Sequence, residues 1–487
     1  MSIGTLIKTI QDIMRKDVGV DGDAQRISQI VWLLFLKIFD DKEQEWKLTI
    51  DGYKSPLQTR FRWSNWAKDA EGITGEELID FVNNDLFPAL KKLATSAGVS
   101  PHGKVVGSVF EDAYNYMKSG TLLRQVVNTI EEEVDFNSST DRHLFNDIYE
   151  KILADLQSAG NAGEYYTPRA VTQFMVDILN PQLGEKILDP ACGTGGFLTC
   201  AIDHLKDQIK TADHRSTMQD CIHGVEKKPL PHMLAMTNLM LHGIDVPSNI
   251  RHDNTLSRPL KNYGRKDKVD IIITNPPFGG MEEDGIESNF PKKYQTRETA
   301  DLFMALIMHL LKHDTGRGAV VLPDGFLFGE GSKTNLKREL LEDFNLHTIV
   351  RLPKGVFSPY TGIKTNILFF EKGGPTKDVW FFEHPYPKGY KSYSRSRPLT
   401  IGEFDLEKKW WGGKTRRGRK TTEYAWKLSA KELAERNYNL DCKNPHEEEI
   451  NHRDPKELMQ EYQKIAKQLE AAQNALKTEL MQALGGN

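Results

Sequence analysis

Residues 186–197, KILDPACGTGGF, place a glycine-rich turn between the end of an apolar strand and the start of a helix. Gly193, Gly195 and Gly196 let the backbone approach a ligand closely, because glycine has no side chain in the way. The spacing differs from the GxGxxG dinucleotide motif, so no pyrophosphate is required. Asp189 suits a ligand with an amino group, and backbone N–H groups suit a carboxylate. S-adenosylmethionine carries both, whereas a plain strand-to-helix turn is the alternative.

Two further carboxylates follow predicted strands downstream. Glu226 ends the strand in CIHGVE, where an acidic group of a doubly wound sheet can accept hydrogen bonds from ribose hydroxyls. Asp253, in RHDNTL, follows a short possible strand, where it can accept from an adenine amino group. A solvated Asp-Asn turn is the alternative for Asp253.

The motif Asn275-Pro276-Pro277-Phe278 directly follows the apolar strand VDIIIT. Prolines stiffen the turn and donate no backbone hydrogen bond, so the carbonyls point outward without competing N–H groups. The Asn275 side-chain oxygen and the Pro276 carbonyl can then accept both hydrogens of one exocyclic amine. Two such acceptors favour the transition state, in which the nitrogen lone pair is localised. Phe278 supplies a ring on which a base can stack.

Alternating strands and helices extend over about residues 160–372. The alternation predicts an α/β fold with a doubly wound, mostly parallel sheet that carries helices on both faces. We expect the last segment, NILFFEK, to run antiparallel at an edge. The predicted strands are KILDP, CIHGVE, VDIIITNPPF, GAVVLP, HTIVRLP and NILFFEK, and the predicted helices span residues 196–209, 228–242, 300–313 and 333–343.

The N-terminal part, to about residue 155, is predicted to be helical. It shows little strand-like alternation, and it either packs on the rest of the chain or clamps nucleic acid or a partner. Helical spacing of apolar residues occurs at Ile27, Ile30, Val31, Leu34 and Ile38, between Leu122 and Val134, and from His143 to Leu156.

The chain after Gly373-Gly374-Pro375 is predicted to be loop-rich. Two stretches mix aromatic and basic residues: YPKGYKSYSRSRP at 386–398 and KKWWGGKTRRGRK at 408–420. We expect them to contact phosphate, with base contact as the alternative. A final helix is predicted from about Pro455 to Leu484. Its apolar positions are spaced as in a coiled-coil seam, which favours a partner helix: Leu458, Tyr462, Ile465, Leu469, Ala472 and Leu476.

Composition narrows the class of protein. The 487 residues carry 64 Lys and Arg against 68 Asp and Glu, a net charge of −4, which excludes a histone-like basic chain. The longest apolar run, Ile30–Leu36, is too short to span a bilayer, and the N-terminus carries no signal-peptide pattern. Four cysteines form no metal-type pair. We therefore expect a reduced, cytoplasmic protein without a metal site.

The motifs taken together resemble the modification (M) subunit of type I restriction-modification systems, an N6-adenine DNA methyltransferase of the gamma motif order. The glycine motif followed by NPPF is similar to that of amino-group DNA methyltransferases, and residues 163–169, GEYYTPR, resemble the cofactor-clamping motif that precedes the glycine loop in this order. The similarity covers nearly the whole chain. Further matches are ADLFMALIMHLLK, GRGAVVLPDGFLF, LPKGVFSPYTGIKTNILFFEK and AWKLSAKELAERNYNLDCKNP.

The resemblance implies methylation of adenine N6 in double-stranded DNA, with the base flipped into the NPPF pocket and S-adenosylmethionine as the donor. It implies an M2S1 enzyme with a specificity (S) subunit that reads the target, joined by restriction (R) subunits, and no membrane. Catalytic contacts carry over to Asn275, Pro276, Pro277 and Phe278. Cofactor contacts carry over to Glu164, Tyr165, Tyr166, Thr167, Pro168, Arg169, Asp189, Thr194, Gly195, Gly196 and Glu226, and Gly193 and Asp253 join them from the local reasoning above.

The resulting organisation has four segments. They are a helical N-terminal domain at 1–155, a methyltransferase domain at 156–375, a loop-rich basic and aromatic segment at 376–454, and a C-terminal helix for a partner at 455–487. The sequence leaves alternatives open. These are a self-contained adenine methyltransferase, a methyltransferase for RNA, a protein glutamine amide or cytosine N4, a non-catalytic scaffold, and a DNA-binding module.

Overall fold

The computed structural model describes residues 3–134, 166–358, 361–394, 396–446 and 455–484. The predicted helical segment from His143 to Leu156 lies outside these residues. One compact unit spans Met1–Cys442, and a second spans Lys443–Asn487. No helix in the described ranges combines the length and apolarity needed to cross a membrane.

The described strands form one nine-stranded sheet. They are β1 (Ile187–Asp189), β2 (Ile222–Glu226), β3 (Ile250–His252), β4 (Ile271–Thr274), β5 (Arg317–Pro323), β6 (Asn345–Leu352), β7 (Thr365–Glu371), β8 (Asp378–Glu383) and β9 (Ala425–Ser429).

The N-terminal part is helical over its described residues, 3–134, as predicted. The α-helices of the described residues are numbered in chain order. They are α1 (Ile3–Met14), α2 (Gly22–Thr49), α3 (Trp63–Trp66), α4 (Gly75–Asp80), α5 (Phe87–Lys92), α6 (Pro101–Phe110), α7 (Gly120–Glu133), α8 (Arg169–Leu179), α9 (Gly196–Leu205), α10 (Ala212–Cys221), α11 (Pro229–Leu241), α12 (Thr299–Leu310), α13 (Asp324–Phe328), α14 (Ser332–Glu342), α15 (Asp405–Trp410), α16 (Ala430–Glu435) and α17 (Pro455–Leu484).

The strand order is β3-β2-β1-β4-β5-β7-β6-β8-β9. Strands β1 to β5 are mutually parallel, β6 and β8 share their direction, and β7 and β9 run antiparallel. The predicted antiparallel direction of NILFFEK is therefore confirmed, but its predicted edge position is wrong. β7 pairs along its length with both β5 and β6, and burial of its first six residues fits a central strand.

Alternate residues of the central strands enter two hydrophobic cores on opposite faces of the sheet. On β4, Ile271 and Ile273 join the core that contains α8, α9 and α11, while Ile272 joins the core that contains α12 and α14. Helices thus cover both faces, which confirms the predicted doubly wound α/β class. The N-terminal helices α2 and α6 pack on α11 of the first face.

The sheet continues past residue 375, the predicted end of the catalytic domain. The aromatic-rich segment DVWFFE forms β8 beside β6, and AWKLS forms β9 beside β8. Aromatic and branched residues favour strands, but Gly-, Pro- and Lys-rich flanks concealed this signal. Residues 376–454, predicted to be loop-rich, therefore contribute to the same sheet.

Candidate active site

The four polar residues expected at strand ends lie in one row. Strands β3, β2, β1 and β4 are adjacent and parallel, so their carboxyl ends meet at one edge of the sheet, here called the carboxyl edge. Asp253 follows β3, Glu226 ends β2, Asp189 ends β1 and Asn275 follows β4. In open α/β sheets, ligands bind at this edge.

The glycine loop is held in an open conformation. Gly193 and Gly195 have φ angles of 53° and 81°, a backbone region that residues other than glycine rarely adopt. A Cβ atom added at Gly193 or Gly196 would meet nothing within 4 Å, so there is free space beside the loop. The loop is tied down by Asn238, whose Nδ2 donates to the Thr194 carbonyl at 3.2 Å. Shape and space therefore suit a ligand lying against this backbone.

Asp189 connects the glycine loop to the catalytic strand. Its carboxylate is buried and accepts a hydrogen bond from Thr274 Oγ1 at 2.6 Å and another from the Ala191 N–H at 3.1 Å. Burial raises the pKa of Asp189 to about 7, these two hydrogen bonds oppose the rise, and the charge of Glu226 adds to it. The group therefore changes charge near neutral pH. Thr274 was missed in the sequence because its partner lies 85 residues away.

Glu226 and Asp253 lie beside the loop. Glu226 accepts hydrogen bonds from the backbone N–H of Gly193 at 2.9 Å and of Lys228 at 2.7 Å. Each carboxylate oxygen has a second lone pair, so Glu226 can still accept from a hydroxyl. The Asp253 N–H donates to the Glu226 carbonyl at 3.0 Å, which places Asp253 next in the row. The Asp253 side chain is exposed and lies 3.6 Å from Arg251.

The Asn275 amide is fixed in one orientation. Its Nδ2 donates to the hydroxyl of Thr167 at 3.0 Å. Its Oδ1 is buried and has no hydrogen-bond partner within the described part of the chain. A buried acceptor without a donor is costly and calls for an explanation. A donor supplied by a ligand amine accounts for it.

The ring of Phe278 is less exposed than we expect for a ring on which a base can stack. Pro276 is buried and Pro277 is exposed. Phe278 is only 4% exposed and meets the Phe357 ring edge-on, with centroids 6.5 Å apart. Phe357, in the loop after β6, was not singled out in the sequence. Base stacking on Phe278 stays a prediction.

The predicted clamping segment leads into α8. Thr167 and Pro168 precede the helix, and Arg169 begins it, with Nη1 donating to Thr199 Oγ1 at 3.4 Å. Tyr166 packs against the core of the α8 face. Glu164 and Tyr165 lie outside the described residues. The described members of the segment thus lie between the glycine-loop helix and Asn275.

These residues meet the chemical needs of S-adenosylmethionine. The loop offers open space and backbone, Asp189 and Glu226 offer carboxylates at adjacent strand ends, and Asn275 offers a buried acceptor. The described residues contain no group of three or more His, Cys, Asp or Glu side chains arranged for a metal. All four cysteines are buried and free, so none is in a disulfide.

Two protein-family models together match almost the whole chain. Residues 140–454 match the family model for N-6 DNA methylase, and residues 3–130 match that for the HsdM N-terminal domain. The chain is 59% identical over 490 residues to the EcoEI type I methylase subunit of Escherichia coli, covering 100% of this chain and 99% of that relative. The EcoKI methylase subunit of Escherichia coli K12 is 30% identical, over 85% and 78% of the two chains.

Solved structures agree with these matches. A type I modification subunit from Vibrio vulnificus YJ016 superimposes with a TM-score of 0.83 at 44% identity, covering 92% of this chain and 98% of the other. A chain from a structure that addresses complex assembly and conformational transition of the type I R-M system gives a TM-score of 0.79 at 34% identity, covering 99% and 98%.

Proposed function

Because this chain belongs to the methylase subunits of type I restriction-modification systems, within the N-6 DNA methylase family, we propose that it transfers a methyl group from S-adenosylmethionine to N6 of adenine in double-stranded DNA. The observation that carries the proposal is the buried, unpartnered Oδ1 of Asn275 beside a glycine loop. An exocyclic amine is the donor that this acceptor lacks.

Asn275 and Pro276 activate the amine by accepting its two hydrogens. The adenine amine is a weak nucleophile because its lone pair is delocalised into the ring. Two fixed acceptors favour the geometry in which that lone pair is localised, and they do so more strongly in the transition state than in the ground state. Thr167 supports this role because it occupies the Nδ2 donor and leaves Oδ1 for the substrate.

The remaining row of residues holds the cofactor. Asp189 pairs with its ammonium group, Glu226 accepts from its ribose, Asp253 accepts from its adenine amine, and the loop from Gly193 to Gly196 faces its carboxylate. Bound S-adenosylmethionine supplies an electrophilic methyl group on a sulfonium. As the N6–carbon bond forms, the carbon–sulfur bond breaks, and the N6 proton leaves to solvent. Extruding the base from the duplex costs a few kcal/mol, which binding in the pocket offsets.

Target recognition belongs to a partner in this proposal. Two copies of this chain assemble with one specificity subunit, and restriction subunits complete the larger complex. The C-terminal helix α17 supports this assembly. Its apolar stripe is solvent-exposed, with Tyr462 at 69%, Ile465 at 57% and Leu469 at 58% exposure. Such a stripe favours helix–helix association.

The proposal is tested by methyl transfer in vitro. The chain is purified with its specificity subunit and incubated with DNA and S-adenosylmethionine labelled in the methyl group. Asn275→Ala is expected to abolish transfer while cofactor affinity stays within a few-fold of the unaltered protein. Surviving transfer in Asn275→Ala would contradict the amine-activation mechanism. Label incorporated into RNA or protein instead of DNA would redirect the substrate assignment.

A further inference from the structure

The two basic and aromatic stretches of the sequence occupy opposite ends of the sheet. The first stretch, residues 386–398, follows β8, which runs parallel to β6. Its starting point, after Glu383, therefore lies at the carboxyl edge, where Asn275 follows β4. The second stretch, residues 408–420, reaches the other edge. The two stretches have similar amino-acid compositions, so the sequence does not reveal that they lie at opposite edges of the sheet.

The first stretch is joined to the catalytic motif through the loop after β6. The Tyr386 hydroxyl donates to the Lys354 carbonyl at 3.1 Å, and the Tyr393 N–H donates to the same carbonyl at 3.4 Å. Three residues beyond Lys354, the ring of Phe357 contacts the ring of Phe278. A ligand held by the first stretch is therefore held next to the proposed base pocket.

The aromatic rings of the first stretch pack on each other. Tyr393 is 2% exposed, and its ring centroid lies 5.6 Å from that of Tyr386 and 6.0 Å from that of Tyr390. These rings stabilise the loop and are not arranged as a stacking platform for bases. Base reading by this stretch is therefore disfavoured.

Three described cationic side chains of the first stretch, together with Lys354 of the loop after β6, point outward. Lys354, Lys388, Lys391 and Arg397 are all exposed. Within the described ranges none of them takes part in an ion pair, and Arg397 lies over the Tyr390 ring at 5.4 Å. Four positive charges on two hydrogen-bonded loops suit the phosphates of a DNA backbone.

Two arginine side chains of the second stretch bond to other residues of this chain. Arg416 Nη2 pairs with Glu371 at 2.8 Å, and Glu371 ends β7 opposite the first residue of β5, so this contact marks the amino edge of the parallel strands. Arg419 donates to Thr348 Oγ1 at 2.8 Å. Burial lowers the pKa of Arg419 to about 9.

Two exposed charges of the second stretch lie near the amino edge. Lys414 and Arg417 are exposed, and Lys414 lines a cavity of about 500 Å³ at the amino edge together with Arg317 and Glu371. Both side chains are positively charged, as those of the first stretch are. They lie at the opposite edge of the sheet from the active site, so they do not contact DNA bound there.

We propose that Lys354, Lys388, Lys391 and Arg397 form the surface on this chain that grips the DNA phosphates around the target base, and that the second stretch takes no part in it. This inference rests on the proposed function, since it assumes a DNA substrate at the carboxyl edge. It assigns phosphate contact, without base reading, to the first stretch.

The test compares two double variants that each remove two exposed positive charges: Lys388→Ala/Lys391→Ala and Lys414→Ala/Arg417→Ala. Each full-length chain is assembled with the specificity subunit, and DNA affinity is measured against salt concentration. Each lost phosphate contact lowers the slope of log affinity against log salt by about 0.9, so the first variant, which loses two contacts in each of the two copies, is expected to lower it by about 4. Its KM for DNA rises several-fold at unchanged cofactor affinity. The second variant retains the slope of the unaltered complex.

Two outcomes separate this inference from the proposed function. Methyl transfer by the unaltered complex together with an unchanged slope in Lys388→Ala/Lys391→Ala, or equal slope losses in both variants, would overturn the phosphate surface alone. Absence of methyl transfer by the unaltered complex on any DNA would contradict the proposed function itself, and the inference with it. Thermal unfolding of both variants, expected to match the unaltered chain, excludes a folding cause.

Discussion

Thr167 accepts the hydrogen bond of Asn275 Nδ2 at 3.0 Å, across 108 residues of sequence, and the Oδ1 of the same amide is left buried without a partner in the described structure. The hydroxyl thereby occupies the nitrogen end of the amide, and the oxygen end is left for the substrate. Thr167 precedes α8, and Asn275 follows β4. The segment predicted to clamp the cofactor therefore also orients the predicted catalytic side chain.

Removing the Thr167 hydroxyl should slow catalysis. Thr167→Val keeps the shape of the side chain but loses the acceptor, so the Asn275 amide is no longer held with Oδ1 toward the amine. A hydrogen bond of this kind contributes about 0.5–1.5 kcal/mol, which predicts a fall in kcat of about twofold to twelvefold. Single-turnover methyl transfer measures this rate.

Thr167→Ser provides the matched control, because it restores the hydroxyl on a smaller side chain. It is expected to recover most of the rate. Cofactor affinity should change little in Thr167→Val. A variant that loses cofactor binding and keeps its rate at saturation would show that Thr167 serves the cofactor and not the amide.

Cofactor affinity should depend on pH through Asp189. Its pKa is raised to about 7 by burial in the free protein, and an ammonium group bound beside it favours the charged form. Binding below pH 7 therefore releases a proton from Asp189, so affinity weakens as pH falls. Above about pH 8 the ligand amine itself loses its proton, and affinity falls again. Calorimetric titration across this range measures both limbs.

Asp189→Asn tests whether Asp189 causes the loss of cofactor affinity at low pH. The amide oxygen can still accept from Thr274 and from the Ala191 N–H, so the local hydrogen bonds are retained. Affinity is expected to be lower at pH 7 and nearly constant on the acid side. An unchanged acid limb in Asp189→Asn would assign the titration to another group.

The sequence predicted the placement of polar residues at strand ends better than it predicted the order of the strands in the sheet. Asp189, Glu226 and Asn275 each follow a short apolar run, and this local signal places them at strand ends whatever the strand order. The insertion of β7 between β5 and β6 depends on pairing between distant segments, which no local pattern records. The Thr167–Asn275 bond likewise joins residues whose side chains give no sign of each other.

Phe278 should contribute to stability as well as to substrate binding. The ring is buried against Phe357, so Phe278→Ala leaves a cavity and is expected to lower the free energy of unfolding by about 3–5 kcal/mol. Phe278→Leu fills most of that space. If the ring also stacks on the target base, Phe278→Leu should unfold close to the unaltered chain yet show a raised KM for DNA. Normal kinetics in Phe278→Leu would leave the ring a packing role only.

The C-terminal helix should hold the specificity subunit. A chain ending at residue 454 is expected to lose the partner in co-purification and to retain cofactor affinity. Ile465→Asp/Leu469→Asp should have the same effect, because it places charge in the exposed apolar stripe. Gln460→Asp/Asn474→Asp adds the same charge on the opposite helical face and should leave the complex intact. Intact complexes in the stripe variant would refute this assignment.

Single-molecule sequencing of base modifications measures adenine methylation by this protein in cells. DNA is taken from cells that express this chain with and without its specificity subunit. The account predicts N6-methyladenine at one bipartite sequence motif, present only when both subunits are expressed and lost in Asn275→Ala. The same methylation from this chain alone, or no adenine methylation from the pair, would contradict it.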